Sequence, residues 1–206
     1  MQNYNDNEKI ISICNPVVSN IGSLKTFFLK NGIRYNIVNV GDEIKTKCLL
    51  ICGVSGLYFS DEYQFINFKK WIHSITQQNK QIVGICAGMQ MLFSQTDEVG
   101  QVMLDIIPGR ISKLSFLNPE IITYIGKRYL IHNNIEMYPY FSHGYGLIED
   151  SIKKFDDFIL VNSNPNEKFI AYFSKDNIIG FQFHPERSCE ATMNFFINKL
   201  HLGYEN

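Results

Sequence analysis

The chain has 206 residues, 45% of them hydrophobic and 19% charged, with a formal net charge of -1. That length predicts a single domain with its own core over residues 1–206, and so small a net charge supplies no basic field for nucleic acid or an anionic membrane surface. No apolar run reaches the roughly 18 residues of a membrane-spanning helix, and "MQNYNDNEK" carries no apolar stretch behind basic residues, so the expected compartment is the cytoplasm.

In chain order, "KIISIC" reads as a first strand. Asn20 is placed to cap a helix whose Ile21, Leu24 and Phe28 share one face, with Gly32 closing it. "IRYNIVNV" and "CLLIC" read as the next strands. Ser60, Asp61 and Glu62 open a second helix, with Phe65, Phe68, Ile72 and Ile75 on its apolar side and acidic residues at the positive end of its dipole. "QIVGI" is a fourth strand ending at Cys86. Strands alternating with helices are the mark of βαβ units and a parallel sheet. From about residue 101 to 183 the character changes. "GRISKLSFL", "EIITYI", "KRYLI", "FILVN", "FIAYF" and "IIGFQF" are short β-rich runs between turn residues, which predicts further and partly antiparallel sheet. A last helix from Ser188 carries Met193, Phe196, Ile197 and Leu200 as its apolar stripe.

Five cysteines, Cys14, Cys48, Cys52, Cys86 and Cys189, are scattered without a paired framework, as reduced thiols are. Cys48 and Cys52 have no His or second Cys pair beside them to complete a zinc site, so no metal is expected. Cys86 differs in setting. In "GICAG", Gly84, Ala87 and Gly88 are the small neighbours that a sharp strand-to-helix elbow requires, because bulky flanks would clash with strand and helix. Such a turn lifts the sulfur out of the sheet onto a helix N-terminus, where unpaired N–H groups favour thiolate and can receive an oxyanion. The N–H of Ala87 is the natural first donor. Taken alone, the same five residues also describe a buried structural cysteine.

A cysteine nucleophile needs a base, and that base needs an orienting group. "GFQFHPERS" offers His184 followed by Pro185 and Glu186. Proline biases the preceding residue to extended geometry, so the imidazole and the carboxylate are expected on one side, as i and i+2 of a strand. His73 in the second helix, His132 in "HNN" and His201 near the end read as surface residues. His143, in "YFSHGYG", is open between a place near the site and a structural one.

At these residues the chain resembles the class I glutamine amidotransferases, whose glutaminase domains carry a G-x-C-x-G-x-Q elbow and a late H-P-E. Here they stand as Gly84 to Gln90 around Cys86, and as His184-Pro185-Glu186. Within that family it is most similar to the glutaminase subunits of imidazole glycerol phosphate synthases, over about residues 10 to 200. Further pieces are Asn20-Ile21-Gly22-Ser23 for the family's N-[LI]-R-S, Gly53-Val54 for its P-G-V-G loop, and "GMQMLF" continuing the elbow helix. The resemblance implies a flavodoxin-like α/β fold, a mostly parallel central sheet flanked by helices with additional antiparallel strands. It implies Cys86 as nucleophile, His184 as acid and base, Glu186 as its orienter, and the N–H groups of Val54 and Ala87 as the oxyanion hole. Gly53, Gln90, Glu98, Gly144 and Tyr145 match positions lining the pocket for L-glutamine. A carboxylate at Glu98 suits the substrate ammonium. Asn20 and Arg187 match positions facing the partner, a (β/α)8-barrel cyclase that takes the ammonia in a heterodimer. No bound cofactor is implied.

The departures from the family pattern cluster on the partner side. Its P-G-V-G is Cys52-Gly53-Val54-Ser55, its first-strand loop is Pro16 to Asn20, its H-[ST]-Y is His143-Gly144-Tyr145, and its P-H-M-G-W-N segment is replaced by Tyr124 to Arg128. A glutaminase feeding another synthase, such as one making amidino sugars for surface polysaccharide, therefore stands as the alternative. From other classes stand a non-catalytic regulatory or binding subunit and a cysteine hydrolase on a related sheet.

Overall fold

A computed structural model describes residues 9–14, 21–52, 62–98, 103–114, 123–148, 155–162 and 168–204. In chain order the elements are β1 (Ile10–Cys14), α1 (Gly22–Lys30), β2 (Arg34–Val38), β3 (Cys48–Ile51), α2 (Glu62–Thr76), β4 (Gln81–Ile85), α3 (Ala87–Gln90), β5 (Phe93–Thr96), β6 (Ile107–Lys113), β7 (Tyr124–Lys127), β8 (Leu130–His132), β9 (Ile135–Met137), β10 (Tyr140–His143), β11 (Tyr145–Leu147), β12 (Asp157–Asn162), β13 (Lys168–Lys175), β14 (Ile178–Phe181) and α4 (Glu190–Asn198).

Seven strands form the main sheet in the order β12-β13-β14-β4-β3-β1-β2. The five from β14 to β2 run parallel, and β13 and β12 are antiparallel additions at one edge. Every residue of β1, β3 and β4 is buried, as strands covered on both faces must be, whereas edge strand β2 is mostly exposed. One face carries Ile11, Ile13, Leu50 and Val83 against Leu24 and Phe28 of α1 and Phe195 and Phe196 of α4. The opposite face carries Leu49, Ile51 and Ile82 against Phe68, Ile72 and Ile75 of α2. Each such side chain, fully buried, contributes about 1.5–3 kcal/mol. Smaller sheets, β11-β6-β5, β7-β10 and β8-β9, take up the first part of the β-rich stretch after residue 101, and its last three strands, β12, β13 and β14, join the main sheet.

The helices follow their apolar spacing with instructive exceptions. In α1, Leu24, Phe27 and Phe28 are buried, and Gly32 at φ +66° closes the helix as Ile33 N–H donates to Phe28 O at 2.9 Å. The cap expected at Asn20 and the helix start expected at Ser60 lie outside the described residues. The stripe expected on α4 is displaced: Thr192, Phe195 and Phe196 are buried and Met193 and Ile197 are at the margin, because Phe195 packs on Tyr172 and Phe181 of the sheet. The helix expected to run on through "MQMLF" is one turn, α3, after which Phe93 starts β5. Met89, Met91, Leu92 and Phe93 are all buried, so that run has no polar face to offer solvent and enters a second sheet.

Two histidines expected at the surface are partly buried. His73 Nε2 lies 2.7 Å from Leu104 O, and His132 ends β8 with Nε2 at 3.3 Å from Asp157 Oδ2, its side chain only 12% exposed. In both cases a neighbouring strand or loop supplies a partner that one stretch of sequence does not display.

Candidate active site

Cys86 joins β4 to α3 with φ 53° and ψ -116°. A non-glycine residue held there stores about 1–3 kcal/mol of strain, kept only because the surroundings fix it. The fixing is visible: Cys86 N–H donates to Phe181 O at 2.7 Å, and Gln90 N–H to Cys86 O at 3.1 Å. A Cβ on Gly88 would stand 2.2 Å from Ile51 O, and one on Gly84 2.6 Å from Met89 N, so both glycines are there for close approach. With only one turn in α3, the helix dipole anticipated beneath the sulfur is reduced to its first-turn N–H groups, that of Ala87 foremost.

Two elements meet at the sulfur. His184 follows β14, and its side chain stands close enough to that of Cys86 for the sulfur to bear on its basicity. Its Nδ1–H points to Glu186 Oε1 at 3.1 Å, which turns Nε2 toward the thiol. The i, i+2 strand relation anticipated for this pair is not how they meet: Pro185–Arg187 is a 3-10 turn, and it swings the carboxylate back under the ring. The proline ring sets that turn, since it occupies its first position. His184 is clamped from β10 as well. Its N–H donates to Tyr140 O at 2.8 Å, while Ser188 Oγ–H donates to His184 O at 2.7 Å and accepts from Tyr140 N–H at 2.9 Å.

Burial alone would lower the basicity of His184, but the hydrogen bonds and negative charges of Cys86 and Glu186 outweigh it and hold the imidazole well above its usual range. Glu186 is 8% exposed, and its Oε2 is buried and accepts no hydrogen bond among the described residues. The carboxylate charge is thus directed at the imidazolium. An arrangement of this kind can hold a thiolate–imidazolium pair and pass a proton between the sulfur side and a bound reactant.

Around the sulfur, the Cys86 thiol reaches Ser142 O at 3.8 Å, and Gln182 Nε2 lies 3.9 Å from Sγ. Gln90 is buried; its Nε2 donates to Tyr145 O at 2.7 Å and to Gln182 Oε1 at 3.0 Å. Gly144 O accepts from Leu114 N–H at 3.0 Å. Glu98, half-buried just beyond β5, has its carboxyl raised by burial. Thr96 and Leu147 both pair with Ile111 of β6, so the chain leading to Glu98 and the strand of Tyr145 flank β6, and Glu98 N–H turns back to donate to Thr96 Oγ1 at 3.0 Å. Arg187 is exposed, its guanidinium 3.9 Å over the Tyr140 ring. Gly53, Val54 and Asn20 lie outside the described residues. Among the described residues no group of three or more His, Cys, Asp or Glu is arranged to hold a metal ion.

His143 is both structural and close to the site. It is 6% exposed among Tyr124, Phe141 and Phe169, and its Nδ1–H donates to Tyr145 O at 2.8 Å. Burial first, then the His184 charge, lower its pKa to about 4 against the one hydrogen bond. Sequence reasoning passed over Gln182. Its signal was present: a fully buried amide between Phe181 and Phe183 in an apolar strand run has to be hydrogen-bonded to something.

An α/β sheet of this order with antiparallel strands at one edge is the fold of class I glutamine amidotransferases, and a crystal structure of glutamine amidotransferase superposes with a TM-score of 0.66 over 91% of this chain and 96% of that one at 10% identity. The glutamine amidotransferase class-I family model matches residues 19–202, and the chain belongs to that family. Among its relatives, the imidazole glycerol phosphate synthase subunit HisH 2 of Methanococcus maripaludis is 30% identical, covering 92% of this chain and 98% of its own. The subunit of the same name from Legionella pneumophila is 28% identical over 94% of this chain and 98% of its own.

Proposed function

We propose that the chain, residues 1–206 acting as one glutaminase domain, hydrolyses L-glutamine to glutamate and ammonia and passes the ammonia to a synthase subunit. The observation that carries this is the strained Cys86 elbow facing a histidine that Glu186 holds by its other nitrogen. The Cys86 thiolate attacks the side-chain amide carbon, and the oxygen's developing charge is received by the N–H groups of Ala87 and Val54. Loss of one such donor typically costs about 2.7–4 kcal/mol of barrier. His184 gives its Nε2 proton to the nitrogen, the C–N bond breaks, ammonia leaves and a γ-glutamyl thioester remains. Water then adds to the thioester as His184 takes its proton, the C–S bond breaks, and glutamate and the thiolate are regenerated.

Gly53, Gln90, Gly144, Tyr145 and Glu98 form the glutamine pocket, with Glu98 facing the ammonium. No cofactor takes part. The receiving subunit is the cyclase of imidazole glycerol phosphate synthase, in a cytoplasmic heterodimer whose lyase step belongs to the partner; the two relatives named above support that pairing. Asn20 and Arg187 face it. No described helix is long and apolar enough to cross a membrane.

A second reading, a glutaminase serving a different synthase, is favoured by β7 and its flank. Tyr124–Lys127 stands where the family has P-H-M-G-W-N, and it presents Ile125 at 59% exposure, with Tyr129 and Tyr138 nearby in the chain at 46% and 45%. Glutamate release from glutamine is the test, with Cys86→Ala as the blank and candidate synthase subunits added in turn. Stimulation by the histidine-pathway cyclase supports the first reading. Stimulation only by another synthase selects the second.

A further inference from the structure

We propose that Gln182 is a further catalytic residue, an N–H donor to the Cys86 sulfur, and that its direction is imposed by a relay of amides beginning at the Tyr145 carbonyl. The proposal rests on the reading of Cys86 as the nucleophile. The polarity of the relay follows from what each group can do. A carbonyl oxygen only accepts, so the Gln90 atom 2.7 Å from Tyr145 O must be its NH2. That same nitrogen lies 3.0 Å from one end of the Gln182 amide, which must therefore be the oxygen. The other end, 3.9 Å from Cys86 Sγ, is left as NH2. Neither amide can be flipped without setting two like groups against each other, and each is fixed without reference to the sulfur.

The site of Gln182 strengthens the case. Its side chain is fully buried, and Cys86 Sγ is the acceptor that its outer N–H meets among the described residues. On another side the sulfur faces Ser142 O, a group that can hold a thiol but not a thiolate. The sulfur thus lies between a carbonyl that suits its protonated form and an amide N–H that suits its anion. Gln182 weights that balance toward thiolate, before glutamine arrives and again when the thioester releases the sulfur. Gln90 is a positioning residue, acting on the sulfur through Gln182.

Alkylation of Cys86 by iodoacetamide tests this without glutamine or a partner, since it forms an S–C bond, expels iodide and requires the thiolate. Peptide-resolved mass spectrometry separates Cys86 from half-exposed Cys189. Gln182→Met keeps the volume and removes the donor. Gln182→Glu keeps an acceptor for Gln90 and sets a carboxylate oxygen against the sulfur. At neutral pH the Met variant is expected to alkylate at Cys86 about tenfold more slowly, and the Glu variant more slowly still. Both pH profiles move to the alkaline side while Cys189 labelling stays as in the parent protein. An unmoved Cys86 rate and profile in a folded variant, judged by circular dichroism and melting, overturns the proposal; if the Met variant does not fold, the Glu variant carries the test. A protein that releases glutamate normally yet shows no displacement loses the Gln182 assignment alone. A displaced profile in a protein that releases no glutamate with any synthase keeps the assignment and removes the glutaminase reading.

Discussion

Glu186 directs its charge at His184. With Oε1 on His184 and Oε2 buried and without a donor among the described residues, the carboxylate stabilises the imidazolium. Gln in its place keeps the shape and loses the charge, so Glu186→Gln is expected to lower kcat for glutamine hydrolysis by about 10²-fold, with a smaller change in KM; equal loss in both would contradict this. His184 and His143 respond to pH in opposite senses. His184 is raised, so its contribution to stability is complete below the ordinary histidine value and is lost as pH rises through its own. His143 is lowered from 6.5 to about 4, so the unfolded chain binds the proton first, and stability falls as pH drops from 6.5 toward 4. For His143 that loss amounts to about 3 kcal/mol at the acid end. Chemical denaturation across this window checks it: His143→Phe should be less stable near neutrality, through the lost bond to Tyr145 O, yet show a shallower acid slope. Identical slopes would remove the assignment.

Elements carry the site by close approach. Gly88 packs against the end of β3 so tightly that Gly88→Ala is expected to cost about 1–3 kcal/mol, read as a lower urea midpoint with an unchanged m-value. A neutral result would mean that the turn is not held as described. The elbow and the parallel strands were legible because their signals are local: apolar runs bounded by turn residues, and small residues around Cys86. Other features depend on distant partners and were not. The i, i+2 reading of His184 and Glu186 chose the right pair through the wrong geometry, since Pro185 starts a 3-10 turn rather than continuing the strand. The face of α4 is decided by Tyr172 and Phe181, and the shortness of α3 by the sheet that Phe93 joins. Gln182 was not singled out because the group that orders it, Gln90, is 92 residues away in sequence.

At the scale of the whole molecule, one edge brings the chemistry and an unusual surface together. β10 binds the backbone of His184 through Tyr140, and β7 pairs with β10 so that Ile125 lies opposite Ser142, the residue whose carbonyl meets the sulfur. A subunit docked on this edge would press on the strand whose Ser142 carbonyl meets the Cys86 sulfur. Arg187, stacked on Tyr140, belongs to the same edge, and Arg187→Glu is expected to weaken binding of the synthase subunit by about tenfold in a calorimetric titration; unchanged affinity would place the partner elsewhere. The central claim, that this edge surrounds a nucleophile shaped for glutamine, is tested most directly by a glutamine-shaped diazoketone. Mass spectrometry of the treated protein should find one adduct, on the peptide carrying Cys86, absent from Cys86→Ala and suppressed by excess L-glutamine. An adduct on Cys189 with Cys86 unmodified, or labelling of Cys86 that glutamine does not suppress, would contradict it.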